Sequence, residues 1–165
     1  MLMFLLLLVP FFLQAQTKYH DVEYNEAKGR VKSITTSTMG QSVLITFSED
    51  GKMSTAGMTN PVYDENGYMT SCEQDMNGIK VTTTIIWENG RMKSQTIKIM
   101  DQAVTTIPIY DDKGNIIGQT INAAGQEEHV VFTDCKYDEH GNWISRKATF
   151  MGQPLEAKRT IVYYE

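Results

Sequence analysis

One short pattern returns along this chain about every two dozen residues, and it limits the fold more than any other feature. FSEDGKM begins at Phe47, YDENGYM at Tyr63, WENGRM at Trp87, YDDKGNI at Tyr110 and YDEHGNW at Tyr137, with a weaker first copy, AKGRV, at Ala27. Gly29, Gly51, Gly67, Gly90, Gly114 and Gly141 hold the same place in each copy. Two residues after each comes an apolar side chain: Val31, Met53, Met69, Met92, Ile116 and Trp143. Agreement at the glycine and at a fixed offset beyond it marks an internal repeat.

Each unit carries a second punctuation about halfway: TMGQS at Thr38, DMNGI at Asp75, IMDQA at Ile99, AAGQE at Ala123 and FMGQP at Phe150. Unit two is short, from Phe47 to Val62, with the irregular AGMTNP in its middle. The stretches between turns favour strands. IKVTTTIIW (Ile79 to Trp87) and VTTIPIY (Val104 to Tyr110) are rich in β-branched residues, which lose rotamer freedom in a helix and fit a pleated surface. Ile79, Val81, Thr83, Ile85 and Trp87 recur at period two, as do Val43, Ile45 and Phe47. Asp50-Gly51, Asn66-Gly67, Asn77-Gly78 and Asn89-Gly90 are hairpin signals, because both residues of each pair tolerate positive φ. The expected fold is all-β: an antiparallel up-and-down meander of about 10–12 strands built from six hairpin repeats, with little or no helix. So wide a sheet must twist, giving a curled open sheet or a half-barrel.

YDENG, YDDKGN and YDEHGN resemble the YD repeats of RHS-like bacterial secreted and surface proteins, whose pattern is a Tyr-Asp pair, two residues, then Gly. Three copies carry the literal Tyr-Asp. Trp87-Glu88 and Phe47-Ser48 are drifted versions, and the Arg usual after the glycine stands only at Arg30 and Arg91, with Lys52, Tyr68, Asn115 and Asn142 elsewhere. The resemblance implies β-hairpin strips that wind into shells around a cargo, or surfaces that bind carbohydrate or protein. Six short copies are too few for a shell, and a repeat is an architecture before it is a site.

The first residues, MLMFLLLLVPFFLQAQ, are almost wholly apolar to Leu13. The run is shorter than the ~20 residues of a spanning helix and suits the apolar region of a signal peptide over residues 1–16. No Lys or Arg precedes it, so the amino terminus supplies the charge or the start lies upstream. Cleavage near Ala15 or Gln16 leaves a single β-repeat domain, residues 17–165, exported to the periplasm, the medium or the cell surface. No transmembrane segment is expected once the leader is gone. Cys72 and Cys135 have four strands between them in a meander, roughly 24 Å at about 4.8 Å per strand spacing. A disulfide needs Cα atoms within about 7 Å, so both thiols are expected free and buried.

A formal net charge of −5 without basic clusters argues against a nucleic-acid partner. The acidic turns at Asp64, Asp111 and Asp138 lack the six to eight oxygens that Ca²⁺ takes, and Asp is an ordinary turn residue. His20, His129 and His140 show no paired spacing, and no nucleophile motif or phosphate loop occurs, so no catalytic residue, metal or cofactor is expected. Met39, Met76, Met100 and Met151 recur at the second turns, either lining a pocket or, as favoured here, edging a repeat core.

The leading expectation is a non-catalytic binding or adhesion module for a glycan or protein, using the aromatics Phe47, Tyr63, Trp87, Tyr110, Tyr137 and Trp143. The competing role for these rings is a cross-strand ladder that holds the sheet together. A different class of function is a periplasmic carrier of a lipid or other apolar ligand, which needs an apolar pocket within the curled sheet. The first and last strands of an open meander would leave backbone unpaired, giving edge-strand self-association.

Overall fold

The computed structural model describes residues 18–165, so the leader expected over residues 1–16 lies outside the described residues. About two thirds of the described residues are in strands. After a one-turn helix, α1 (Asp21–Tyr24), come β1 (Val31–Thr38), β2 (Gln41–Phe47), β3 (Met53–Thr55), β4 (Met58–Tyr63), β5 (Met69–Met76) and β6 (Ile79–Glu88). Then follow β7 (Arg91–Ile99), β8 (Gln102–Tyr110), β9 (Ile116–Ala123), β10 (Gln126–Val131), β11 (Thr133–Tyr137), β12 (Trp143–Phe150) and β13 (Gln153–Tyr163). Every pairing is antiparallel between consecutive strands, with one exception: β1 pairs with β13. The terminal strands of the meander therefore cover each other, and the free edges expected there do not exist.

The meander divides into two sheets and does not close into a barrel: β11-β12-β13-β1-β2-β3 and β10-β9-β8-β7-β6-β5-β4. It changes sheet twice. At Ala56–Gly57 the three-residue β3 turns back into β4 without pairing to it. At Phe132 the chain runs straight on from β10 into β11, with Asp134 at φ 51°. A bend of this kind lets one strand serve two sheets.

The two kinds of turn lie at opposite ends of the strands. The acidic turns are built alike: Asp64, Asp111 and Asp138 each accept, through Oδ1, the backbone N–H groups two and four residues on, at 2.8–3.0 Å. The Asp of the motif is thus a backbone cap. At the other end sit two-residue turns whose central residues are both left-handed, as in Met39-Gly40 (φ 53° and 77°) and Met151-Gly152 (φ 49° and 72°). Their twist matches that of the flanking strands.

The core lies at the acidic-turn end, where Val22, Ala27, Val31, Ile34, Phe47, Met53, Met69, Cys72 and Ile85 pack together. The segment before β1 staples the sheets there. The N–H groups of Lys18 and Tyr19 donate to the Asp50 carbonyl in the β2–β3 turn, and His20 N–H donates to the Gly67 carbonyl in the β4–β5 turn. Asp21, fully buried, accepts from Met53 N–H at 2.8 Å and from the Tyr63 hydroxyl at 2.7 Å, one group from each sheet. Burial pushes its carboxyl above the usual range, although both hydrogen bonds oppose the shift.

The other end is held more lightly, by the Glu128 carboxylate on β10, which accepts from Met151 N–H in the β12–β13 turn. The face that carries Ile34 also carries Val43, and the face that carries Val81 and Ile85 also carries Ile79, Ile99 and Val104. Yet Val43 is 55% exposed and Ile99 40%. Side chains that point at the opposing sheet and still meet solvent mean that the sheets splay apart toward the two-residue turns.

Candidate functional site

Cavities lie between the sheets at both ends, the larger where they splay. One, of about 300 Å³, is lined by Ile121 and Val130 from one sheet, Ala148, Phe150, Leu155 and Ala157 from the other, and Phe132 at the crossing. Thr38, Gln119 and Arg146 supply its polar atoms. The second, of about 180 Å³, lies toward the acidic turns and is lined by Trp87, Tyr110, Tyr137 and Trp143 together with Lys28, Arg91 and Glu26. Arg146 lines both and divides them.

The aromatics fall into three groups. Phe47 and Trp143 are buried, Trp143 at 7% exposure, which removes them as surface stacking platforms. Tyr63, Trp87 and Tyr110 are half-buried with their polar tips committed. Trp87 Nε1 donates to the Met69 carbonyl at 2.8 Å, and the Tyr110 hydroxyl to the Met92 carbonyl at 2.9 Å. Each ring thus reaches the residue two beyond the glycine of the preceding unit, the apolar position of the repeat. Tyr63 makes the equivalent link through Asp21. These three are cross-strand braces. Only Tyr137, 52% exposed, is open to solvent. Four of the six nevertheless converge, since Trp87, Tyr110, Tyr137 and Trp143 all face the smaller cavity. Tyr110→Phe is expected to cost about 1 kcal/mol by leaving the Met92 carbonyl without its donor. A urea midpoint lowered accordingly, with fluorescence of both tryptophans unchanged, checks it.

Behind Trp143 lies a cluster that sequence reasoning missed. Its Nε1 donates to Glu26 Oε2 at 2.9 Å. Arg146 meets the same carboxylate with both terminal nitrogens, at 2.5 and 3.2 Å. The Arg146 guanidinium lies 3.6 Å from the Phe132 ring centre and 4.0 Å from that of Trp143, while Arg159 lies 3.6 Å from Trp143. Arg159 reaches only the Glu26 backbone carbonyl, at 3.4 Å, and its Nε is buried without a partner. Burial draws its guanidinium down to about 10, with Glu26 opposing and Arg146 assisting. A sequence signal exists for it. In LEAKRTIVY the alternate positions Leu155, Ala157, Arg159, Ile161 and Tyr163 are the half-buried ones, so an arginine occupies an apolar register.

The methionines do not edge a core. Met39 is 80% exposed, and Met100 and Met151 sit likewise at the tips of the two-residue turns. Both cysteines are free; Cys72 is buried as expected, whereas Cys135 is half-buried beside the smaller cavity. His140 packs on the Tyr163 ring at 4.0 Å and His20 stacks on Tyr68 at 4.0 Å. Among the described residues no group of three or more His, Cys, Asp and Glu is placed to hold a metal ion. No helix among them is long and apolar enough to cross a membrane. No protein-family model matches the chain, and no curated protein matches it.

Proposed function

We propose that the chain is an exported, non-catalytic binding protein that holds an apolar ligand between its two sheets. The observation that carries this reading is the set of inward-facing apolar side chains left uncovered at the splayed end. Val43, Ile79, Ile99 and Val104 lie exposed on the inner faces, at the same end of the sheets as a cavity walled by Phe132, Phe150, Leu155, Ile121 and Val130. Uncovered apolar area of this kind is costly in water unless something occupies it. At about 300 Å³ the cavity lies at the lower end of the usual size range for small-molecule sites, roughly 300–1,000 Å³, and so suits one chain rather than a multi-chain lipid. The YD-type repeat supplies the frame in this reading, as a short and divergent example of that group.

The uncharged apolar dye N-phenyl-1-naphthylamine tests it. Fluorescence should rise and shift to the blue on mixing with the protein. Ala148→Trp, which fills the cavity from β12, should weaken binding by at least about tenfold at unchanged far-UV circular dichroism. No fluorescence rise, or equal binding by the variant, overturns the reading.

A second reading rests on the convergence of Trp87, Tyr110, Tyr137 and Trp143 on the smaller cavity beside Lys28 and Arg91. Rings next to charged donors suit a sugar. Quenching of tryptophan emission by an oligosaccharide, persisting in Ala148→Trp, would favour it.

A further inference from the structure

The ligand cleft carries an electrical polarity as well as apolar walls. On β12 the inner face reads Phe150, Ala148, Arg146 from the mouth inward, and on β13 it reads Leu155, Ala157, Arg159. The register sets Ala148 opposite Leu155 and Arg146 opposite Ala157, so the two rows run side by side. Each passes from apolar to small to cationic. Four residues of strand separate Phe150 from Arg146, about 13 Å. The two guanidinium groups at the inner end share a single carboxylate, that of Glu26. Arg146 takes both of its oxygens, and Arg159 is left with a backbone carbonyl and an unpartnered Nε. One positive charge therefore stands uncompensated in a half-buried, ring-lined position. Such a charge is costly without an anion beside it. Gln119, on the inner face of β9 across the cleft, adds a neutral polar group to the same cavity.

We propose that the occupant of the cleft is a single-chain anionic amphiphile, with its carboxylate at Arg146 on the cavity wall, drawn by the uncompensated charge of Arg159 on the same Trp143 ring, and its alkyl chain along Ala148, Leu155 and Phe150 toward the mouth. This rests on the reading of the cleft as an apolar ligand site and assigns the head group. The site takes the anion head first, because the cations lie at the closed end and the apolar residues at the open one.

Three dodecyl compounds separate the alternatives when each, below its micelle concentration, displaces N-phenyl-1-naphthylamine from the full-length mature protein. The expected order is dodecanoate, then dodecanol, then dodecyltrimethylammonium, with dodecanoate ahead of the alcohol by about tenfold. Arg159→Met should bring dodecanoate to within roughly threefold of the alcohol. If the wild type binds dodecanoate and dodecanol within threefold of each other, the head-group assignment falls and the apolar cleft stands. If the dye binds but no dodecyl compound displaces it, the amphiphile assignment falls. If the dye itself does not bind, the cleft reading fails and takes this inference with it. The wild-type series decides the matter even where Arg159→Met does not fold.

Discussion

Gly67→Ala is expected to destabilise the protein by about 3–4 kcal/mol, whereas Gly141→Ala, at the same place in a sister repeat, costs about 1–2 kcal/mol. Both glycines are left-handed, at φ 85° and 77°, so both variants carry the strain of an L-residue there. Their surroundings differ. A Cβ on Gly141 meets nothing within 4 Å, while a Cβ on Gly67 would stand 1.9 Å from the Lys18 carbonyl oxygen. That oxygen belongs to the stapling segment, whose next residues bond Asp50 and Gly67 itself. To admit the methyl group the segment must lift, and the His20–Gly67 hydrogen bond is lost with it. Urea denaturation of the two variants measures the gap between them. Equal midpoints would mean that residues 18–20 do not hold the closed end. Limited proteolysis should then cut the amino-terminal segment as readily in the wild type as in Gly67→Ala.

Much of this frame is legible in the sequence because its determinants are local. The glycine of each unit and the Asp two and four residues ahead of its N–H partners specify a turn within a single short segment. Alternation in Ile79 to Trp87 likewise decides which side chains share a face before any neighbour is known. The division into two sheets is not local. It depends on the three-residue β3 failing to pair with β4, and on β1 meeting β13 from the far end of the chain. No short-range pattern encodes a contact of that separation. The aromatics show the same limit. A ring at a fixed place in five of the six copies is visible in the sequence, but the Trp87 indole N–H and the Tyr110 hydroxyl end on carbonyls of the unit before, which turns those two into braces. The methionines mislead for a different reason. Met is not a turn residue by chemistry, yet Met39, Met100 and Met151 take the left-handed first position of two-residue turns, where a side chain is forced outward into solvent.

Glu26→Ala should be as damaging as any single change in the cleft, at about 3–5 kcal/mol. The carboxylate is the shared acceptor of the Arg146 fork and the Trp143 indole N–H. Its removal leaves two guanidinium groups on the inner face of one sheet with no anion between them. Both are stacked on Trp143, so neither can swing out to solvent without giving up its ring. The penalty is mostly that of stranded charge, and not of the lost pair itself. Two comparisons make this distinction. Glu26→Gln keeps an acceptor for Trp143 and volume between the arginines while removing the charge, so its loss relative to Glu26→Ala measures packing and hydrogen bonding alone. Combining Glu26→Ala with Arg159→Met removes one of the stranded cations, and the double variant should be more stable than Glu26→Ala. If the double variant is instead less stable by the sum of the two single effects, the arginines are independent packing residues. The net positive charge assigned to the inner end of the cleft would then have no energetic reality. A carboxylate ligand adds a further expectation along the same line. Dodecanoate should raise the unfolding temperature of Glu26→Ala by more than it raises that of the wild type, because in the variant it enters the place of the missing anion as well as the apolar cleft.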